Sequence, residues 1–357
     1  MPVVAVAAAG AVVLAVHLRT PHPSAPASTP PKGSQTAPAA PTSYSAQHPV
    51  AAWPDPLPYP VVIADPAARR LEEVTPGGQV VWTMLNPAIG PVPIAPSDVS
   101  FTAHGGHLVI TAESQNVVAR ANYLTHAIQW WFGVPGQSGA GTAHLNFPDD
   151  GAVLPDGDVA VADVRNCREV IINPAGQVSH ILGNPQTGYC QTHVSLAQFG
   201  YPNGSQPQPN GDILLTFGSG DKVALVSPSG KVVWSAGSPD LYGGFVSDAQ
   251  LTSSGDVVVC GYGNPGSVVA FNPQTGAELW HYFVASGSGA LNDPTQAVPL
   301  PNGDVLVADG GNHRIVVINP TQGKIVWQYS TGLQAPDGLA LDLYHNWQTP
   351  ATSSTPK

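Results

Sequence analysis

Charge is what this chain has least of. Charged residues make up 10% of its 357, and only 12 are Lys or Arg, for a formal net charge of −11. With no basic stripe to neutralise phosphates, nucleic acid is excluded as a partner. The shortage of Glu, Lys and Arg also removes the usual material of long surface helices. An acidic balance of this kind serves solubility first. Cysteine is equally scarce: Cys167, Cys190 and Cys260 show no CxxC spacing and no metal-ligand pattern. An odd count in an exported chain points to one disulfide and one spare thiol. No GxSxG elbow, Walker loop, post-strand GxGxxG or HExxH helix occurs, so the local signatures of hydrolases, nucleotide binders and zinc proteases are missing.

The abundant residues tell a different story. Gly and Pro contribute 38 each, a mixture that suits short strands joined by many turns. The apolar run Val3 to Val16 falls short of the roughly 20 residues of a membrane span. It fits the apolar part of a signal peptide, although no basic leader precedes it. Residues 1–19 are therefore expected to be a signal peptide or a retained signal anchor, which makes the chain extracytoplasmic, secreted or membrane-anchored. Residues 20–58 form a Pro/Ala/Ser/Thr-rich linker with too little hydrophobicity to pack, and residues 344–357 form a similar tail.

Between them lies an internal repeat. A turn glycine precedes a Trp by four residues in GQVVW (78–82), GKVVW (230–234), GAELW (276–280) and GKIVW (323–327). GQVSH (176–180) keeps the spacing with His in the aromatic slot, and HAIQW (126–130) keeps it without the glycine. Upstream of these, turns feed β-branched runs, as in GHLVITA (106–112), GDVAVAD (157–163), GDILLTF (211–217), GDVVVCG (255–261) and GDVLVAD (303–309). A further short strand precedes each run: PSDVSF, PDDGAV, PNGSQP, VSDAQL and PTQAVP. Each unit thus reads as four antiparallel strands, a to d, repeating every ~44 to 54 residues, which is the period of a propeller blade. The first unit, 61–82, lacks strand a, and APDGLALDL near the C-terminus supplies it. The expected fold is an all-β, six-bladed β-propeller over residues 59–343, its ring closed by the C-terminal strand joining the N-terminal blade. Nothing calls for more than a monomer.

The runs ADVRNCREVIINP (162–174) and ADGGNHRIVVINP (308–320) resemble NHL repeats, and the tails NPQTGAELWHY and NPTQGKIVWQY resemble quinoprotein-type, PQQ-like repeats. The resemblance covers residues 60–342. It implies a propeller in which the Trp packs between blades, and it leaves activity open, because such propellers host unrelated functions. Quinoproteins of this type resemble eight-bladed rings with adjacent paired cysteines, features missing here, so a PQQ cofactor is not expected. A zinc or copper site assembled from different blades, as in some NHL-type lyases, has no signature among the 12 histidines.

Strand direction puts the b–c loops and d–a connections on one face and tight turns on the other. The long segments 133–147, 184–202, 237–246 and 284–293 make the first face the place for a site. There the register aligns Asp98, Asp150, Asp248 and Gln296 at the mouth of the central channel, with Ser97, Asp149, Asn203, Ser247, Thr295 and Asp337 just before each equivalent position. His144, His193 and His313 fall in loops of the same face. Asp98, Asp150 and Asp248 are candidate ligands for Ca²⁺, or else caps of backbone N–H groups around a water-filled funnel. No other cofactor is expected. Asp65, Asp163 and Asp309 each precede an Arg by five residues (Arg70, Arg168, Arg314), and recurrence in three blades marks structural ion pairs. Cys167 and Cys190 reach the same face and are expected to form the disulfide. The aromatics Trp131, Phe132, Tyr189, Tyr201, Tyr242 and Phe245 are candidates for a contact surface. Two functions fit: a non-enzymatic binding or scaffold module for a protein or small molecule, or a metal-assisted enzyme (lactonase, lyase or sulfotransferase-like) using the Asp/His-lined mouth.

Overall fold

The computed structural model describes residues 52–54, 56–183, 200–218 and 222–344. The N-terminal apolar run and most of the linker and tail lie outside these residues, as do Tyr189, Cys190 and His193. Among the described residues no helix is long and apolar enough to cross a membrane.

Six four-stranded antiparallel sheets follow one another along the chain. The second strand of each blade explains the continuous apolar runs. Val61–Asp65, Val159–Asp163, Ile213–Phe217 and Val305–Asp309 are buried at every position, because a neighbouring blade covers each face. The fourth strand is different. Val232–Gly237 alternates between half-buried and exposed residues, the period-2 pattern of a sheet edge with one wet face.

Turn glycines occupy the conformations the hairpins require. Gly157, Gly211, Gly255 and Gly303 have φ of +94, +87, +84 and +87°, and His126 takes φ +59° in the slot that glycine fills in the other blades. The repeated Trp docks one blade on the next. Trp82 Nε1 donates to Tyr123 O and Trp327 Nε1 to Pro76 O, each at 3.0 Å, while Trp130 packs over Gly176. The indole thus links blades through its N–H at Trp82 and Trp327, and through its ring alone at Trp130.

The ring closes as the sequence implies. Leu339–Leu341 pairs with Val61–Asp65 through Val61↔Leu341, Val62↔Ala340 and Ile63↔Leu339, completing the first blade. Two details extend the expected picture. Leu57 is fully buried in the cluster between the last and first blades, so packing begins within the expected linker. A small hairpin, Ala88–Ile89 against Val92–Pro93, sits in the first d–a connection. Cys260 is a buried free thiol. Cys167 is disulfide-bonded, and its expected partner, Cys190, lies outside the described residues.

Candidate functional site

The site is built by an irregularity in strand a. In four blades the pairing of strand a with strand b slips between Pro148 and Gly151, Pro202 and Ser205, Val246 and Ala249, and Pro294 and Ala297. Two residues per blade therefore leave the ladder: Asp149-Asp150, Asn203-Gly204, Ser247-Asp248 and Thr295-Gln296. A bulge re-aims side chains, and here it turns Asp149, Asp150, Asn203, Ser247, Asp248, Thr295 and Gln296 towards a cavity of about 260 Å³ at the channel mouth, which Asp98 joins from a regular strand. Asp98, Asp150, Asp248, Gln296, Asn203 and Asp337 all line it. His144 does not. It lies against Gly139 in the 133–147 loop, and its carbonyl is held by Arg168 at 2.8 Å.

Several ring side chains cap backbone groups, but across blades rather than within their own turns. Asp98 Oδ2 accepts from Gly151 N and Asp150 Oδ2 from Ser205 N, both at 3.1 Å, and Gln296 Oε1 accepts from Leu339 N at 2.6 Å. The same ring position in one blade thus ties down the following blade. Gly204 has no side chain to do this. Its N–H donates to Thr216 Oγ1 at 2.6 Å, while Asn203 Nδ2 reaches Ser247 O at 3.1 Å. Each bond satisfies a backbone group that burial would otherwise leave unpaired.

Six acids meet in this cavity: Asp98, Glu113, Asp149, Asp150, Asp248 and Asp337. Burial raises all six, and their mutual repulsion adds to it for most. Asp98 is pushed up to about 6, Asp248 to about 7 and Glu113 to about 7. Asp149, Asp150 and Asp337 also rise well above the ordinary range. Glu113 shares a hydrogen bond with Asp149 and is eased by Arg165, whose guanidinium lies 4.0 Å from the centre of the Phe147 ring. Among the described residues no group of three His, Cys, Asp or Glu side chains is arranged to hold a metal ion.

The Asp–Arg pairs are structural, as their recurrence implies. Arg168 Nε meets Asp163 Oδ2 at 2.6 Å, and Arg314 Nε meets Asp309 Oδ2 at 2.6 Å. Their guanidinium groups also take carbonyls of the preceding d–a connection: Ala140 and His144 for Arg168, Ser288 and Ala290 for Arg314. Asp163 and Asp309 accept in turn from Asn146 N and Asn292 N, each at 2.7 Å. In the first blade the Asp65–Arg70 pair is looser, at 3.7 Å, because Asp65 accepts from Gln334 N and Ala335 N while Arg70 meets Glu72 at 3.1 Å. These clamps hold the long loops down.

The aromatic expectations divide. Phe245 lines the cavity and is 49% exposed. Tyr242 stacks on Phe283 with ring centres 4.7 Å apart, to one side. Phe132 is buried in the core between the second and third blades, because it ends an outer strand rather than starting a loop, so it offers no contact surface. Trp131 is exposed on that same strand, Ile128–Phe132. Sequence reasoning missed Glu113, Phe147 and Tyr262, all of which line the mouth. Glu113 immediately follows its b strand and Tyr262 ends its own. A register carried one residue past the runs GHLVITA and GDVVVCG would have found both. Phe147 sits with φ +59° just before the strand-a proline.

Comparison with known proteins agrees with this architecture. Residues 184–347, spanning the last three blades and the closing strand, match the family PQQ_2, described as outer membrane protein assembly factor BamB. No curated protein sequence matches the chain. A Bacteroides caccae protein of unknown function is 15% identical with a TM-score of 0.56, over 79% of this chain and 98% of its own. Virginiamycin B lyase from Staphylococcus aureus is 13% identical with a TM-score of 0.54, over 84% and 94%. A chain of the nidogen/laminin complex is 13% identical with a TM-score of 0.56, over 79% and 97%. At these identities the likeness is one of fold. An anionic quinone does not fit a cavity lined by six acids and, among the described residues, by no Lys, Arg or His. Six four-stranded blades make this chain a β-propeller, and its last three blades are similar to the PQQ-like repeat.

Proposed function

We propose that the chain is an extracytoplasmic binding module that takes its ligand at the channel mouth of the long-loop face. One observation carries this reading. A single cavity combines blade-borne carboxyl groups at its base with the rings of Phe147, Phe245 and Tyr262 around it. Ligand sites join apolar walls to a few convergent polar groups in this way. The extracytoplasmic setting rests on the N-terminal apolar run and the linker behind it.

The test is a ligand-observed NMR screen of uncharged fragments against the full chain. Hits should compete for one place and disappear in Phe245→Ala and in Tyr262→Leu, both of which should melt like the parent. Hits that survive both substitutions, or no hits at all, would refute a site at the mouth.

Glu113 supports a second reading. A carboxyl pushed up to about 7 and hydrogen-bonded to Asp149 is suited to proton transfer near neutrality, as a metal-assisted lactonase, lyase or sulfotransferase-like enzyme would need. Metal-dependent opening of simple lactones, lost in Glu113→Gln, would favour that enzyme over the binding module.

A further inference from the structure

We infer that the mouth receives an organic cation, an ammonium or guanidinium group on an apolar stem, with its charge between Asp98 and Asp248 and its stem along Tyr262 and Phe245. The inference rests on the binding-module reading and names the ligand class of that same site.

The first argument is an imbalance of partners. Asp98 and Asp248 are 5% and 2% exposed, and Oδ1 of each is buried without a hydrogen-bond partner. Burying an acceptor without a donor is costly, and the blade caps use only the other oxygen of Asp98. Asp248 Oδ2 takes Gln250 Nε2 at 3.2 Å. A donor-rich head group would supply what both Oδ1 atoms lack.

The second argument is where those two oxygens lie. Position by position, the ring reads Asp98, Asp150, Gly204, Asp248, Gln296 and Gly338. A Cβ at Gly204 would stand 2.7 Å from Asp248 Oδ1, and one at Gly338 would stand 2.5 Å from Asp98 Oδ1. The two orphaned oxygens therefore lie over the two ring positions that have no side chain. The missing side chains let the two carboxylates lie close against the next blade, and the ring offers no side-chain donor there.

The third argument separates an organic cation from a metal ion. A Ca²⁺ site is a tight cage of oxygens at about 2.3–2.6 Å, and no trio of described side chains has such an arrangement. The cavity, at about 260 Å³, far exceeds the roughly 10–15 Å³ that one water-sized occupant needs. Phe245 and Tyr262 stand with ring centres 5.1 Å apart. A bare ion makes no use of such a wall, whereas an alkyl stem and its cationic head use both its area and its π-face. Arg165 already lies on Phe147 at the same mouth, an internal example of that contact.

Isothermal titration of the full chain in EDTA-containing buffer tests the inference. Agmatine and hexylamine represent free amines, acetyl-Gly-Lys-Gly-amide represents a protein side chain, and hexanol is the uncharged control. At least one cation should bind at least ten-fold more tightly than hexanol. That preference should fall to about three-fold or less in Asp98→Asn/Asp248→Asn, which keeps the shape and the caps. Phe245→Ala, at an exposed position, should weaken the same cation while leaving the melt unchanged, and serves if the double variant misfolds. Tighter binding of the peptide would point to a protein partner, and tighter binding of the amines to a small molecule. Equal binding of hexanol and cations overturns the inference but leaves the binding-module reading standing. Absence of binding by every probe overturns it too, as does Ca²⁺ binding alone in an EDTA-free arm.

Discussion

Two sets of acids lie on the same face of this propeller, and their surroundings differ. Asp163 and Asp309 are fully buried, yet each meets an arginine at 2.6 Å and backbone or Asn donors besides. Asp98, Asp150 and Asp248 are buried almost as deeply and Asp337 is half-buried, but among the described residues no cation lines their cavity. The first set clamps the d–a loops to the blades. The second has no such partner, so burial and mutual repulsion raise its carboxyls, and two of its oxygens still lack donors. The fold gives the first set an arginine apiece, whereas at the mouth Arg165 eases Glu113 alone of the six acids.

The largest effect should come from removing closure. Deleting residues 335–357 takes away Leu339–Leu341, the strand that completes the first blade, and the Ala335 N–H held by Asp65. The truncated chain should lose its cooperative melt, whereas a chain lacking residues 1–51 should keep it. A sharp transition in the C-terminal truncation, followed by circular dichroism, would break the account of the ring.

Next in size is the clamp. Arg168→Ala strands Asp163 in the core without its cation and frees the carbonyls of Ala140 and His144. Breaking a buried pair in this way costs about 3–5 kcal/mol, readable from urea midpoints. A loss under about 1 kcal/mol would erase the contrast with the mouth. The disulfide should rank close behind. A Cys167–Cys190 bridge closing about 20 residues is worth on the order of 3 kcal/mol in the chain-entropy model. Unreduced peptide mapping should find the two sites linked, and alkylation of both would sink the pairing.

How far the sequence reveals this contrast depends on periodicity. The ring acids, the Trp docking and the Asp–Arg clamps repeat with the blade, so a single register is enough to align them. Glu113 and Tyr262 share one register position but no residue type, and Phe147 is matched in aromatic character by Tyr201 at the left-handed position before the strand-a proline, so the repeat offers no uniform residue to notice. His144 shows the same limit from the other side. Its loop position suggests a place at the mouth, but its own carbonyl is drawn toward Arg168 by a tertiary contact that no local pattern encodes. The bulge that turns Asp150 and Asp248 inward is likewise a property of strand pairing, invisible in the alternation of residues.

The most direct measurement is the pH dependence of thermal stability in the parent and in Asp98→Asn/Asp248→Asn. Asp98 and Asp248, pushed up to about 6 and about 7, bind protons in the folded chain that they would release on unfolding. The resulting stability is complete below the ordinary carboxylate range near ~4 and is lost as pH rises through about 6 to 7. Glu113, Asp149, Asp150 and Asp337 act in the same direction. The parent should therefore melt at a higher temperature at pH 5 than at pH 8. The double variant should narrow that gap and match or exceed the parent at pH 8. A gap of equal size in both proteins, or a variant destabilised at pH 8 as strongly as Arg168→Ala, would contradict the claim that the mouth holds unneutralised charge.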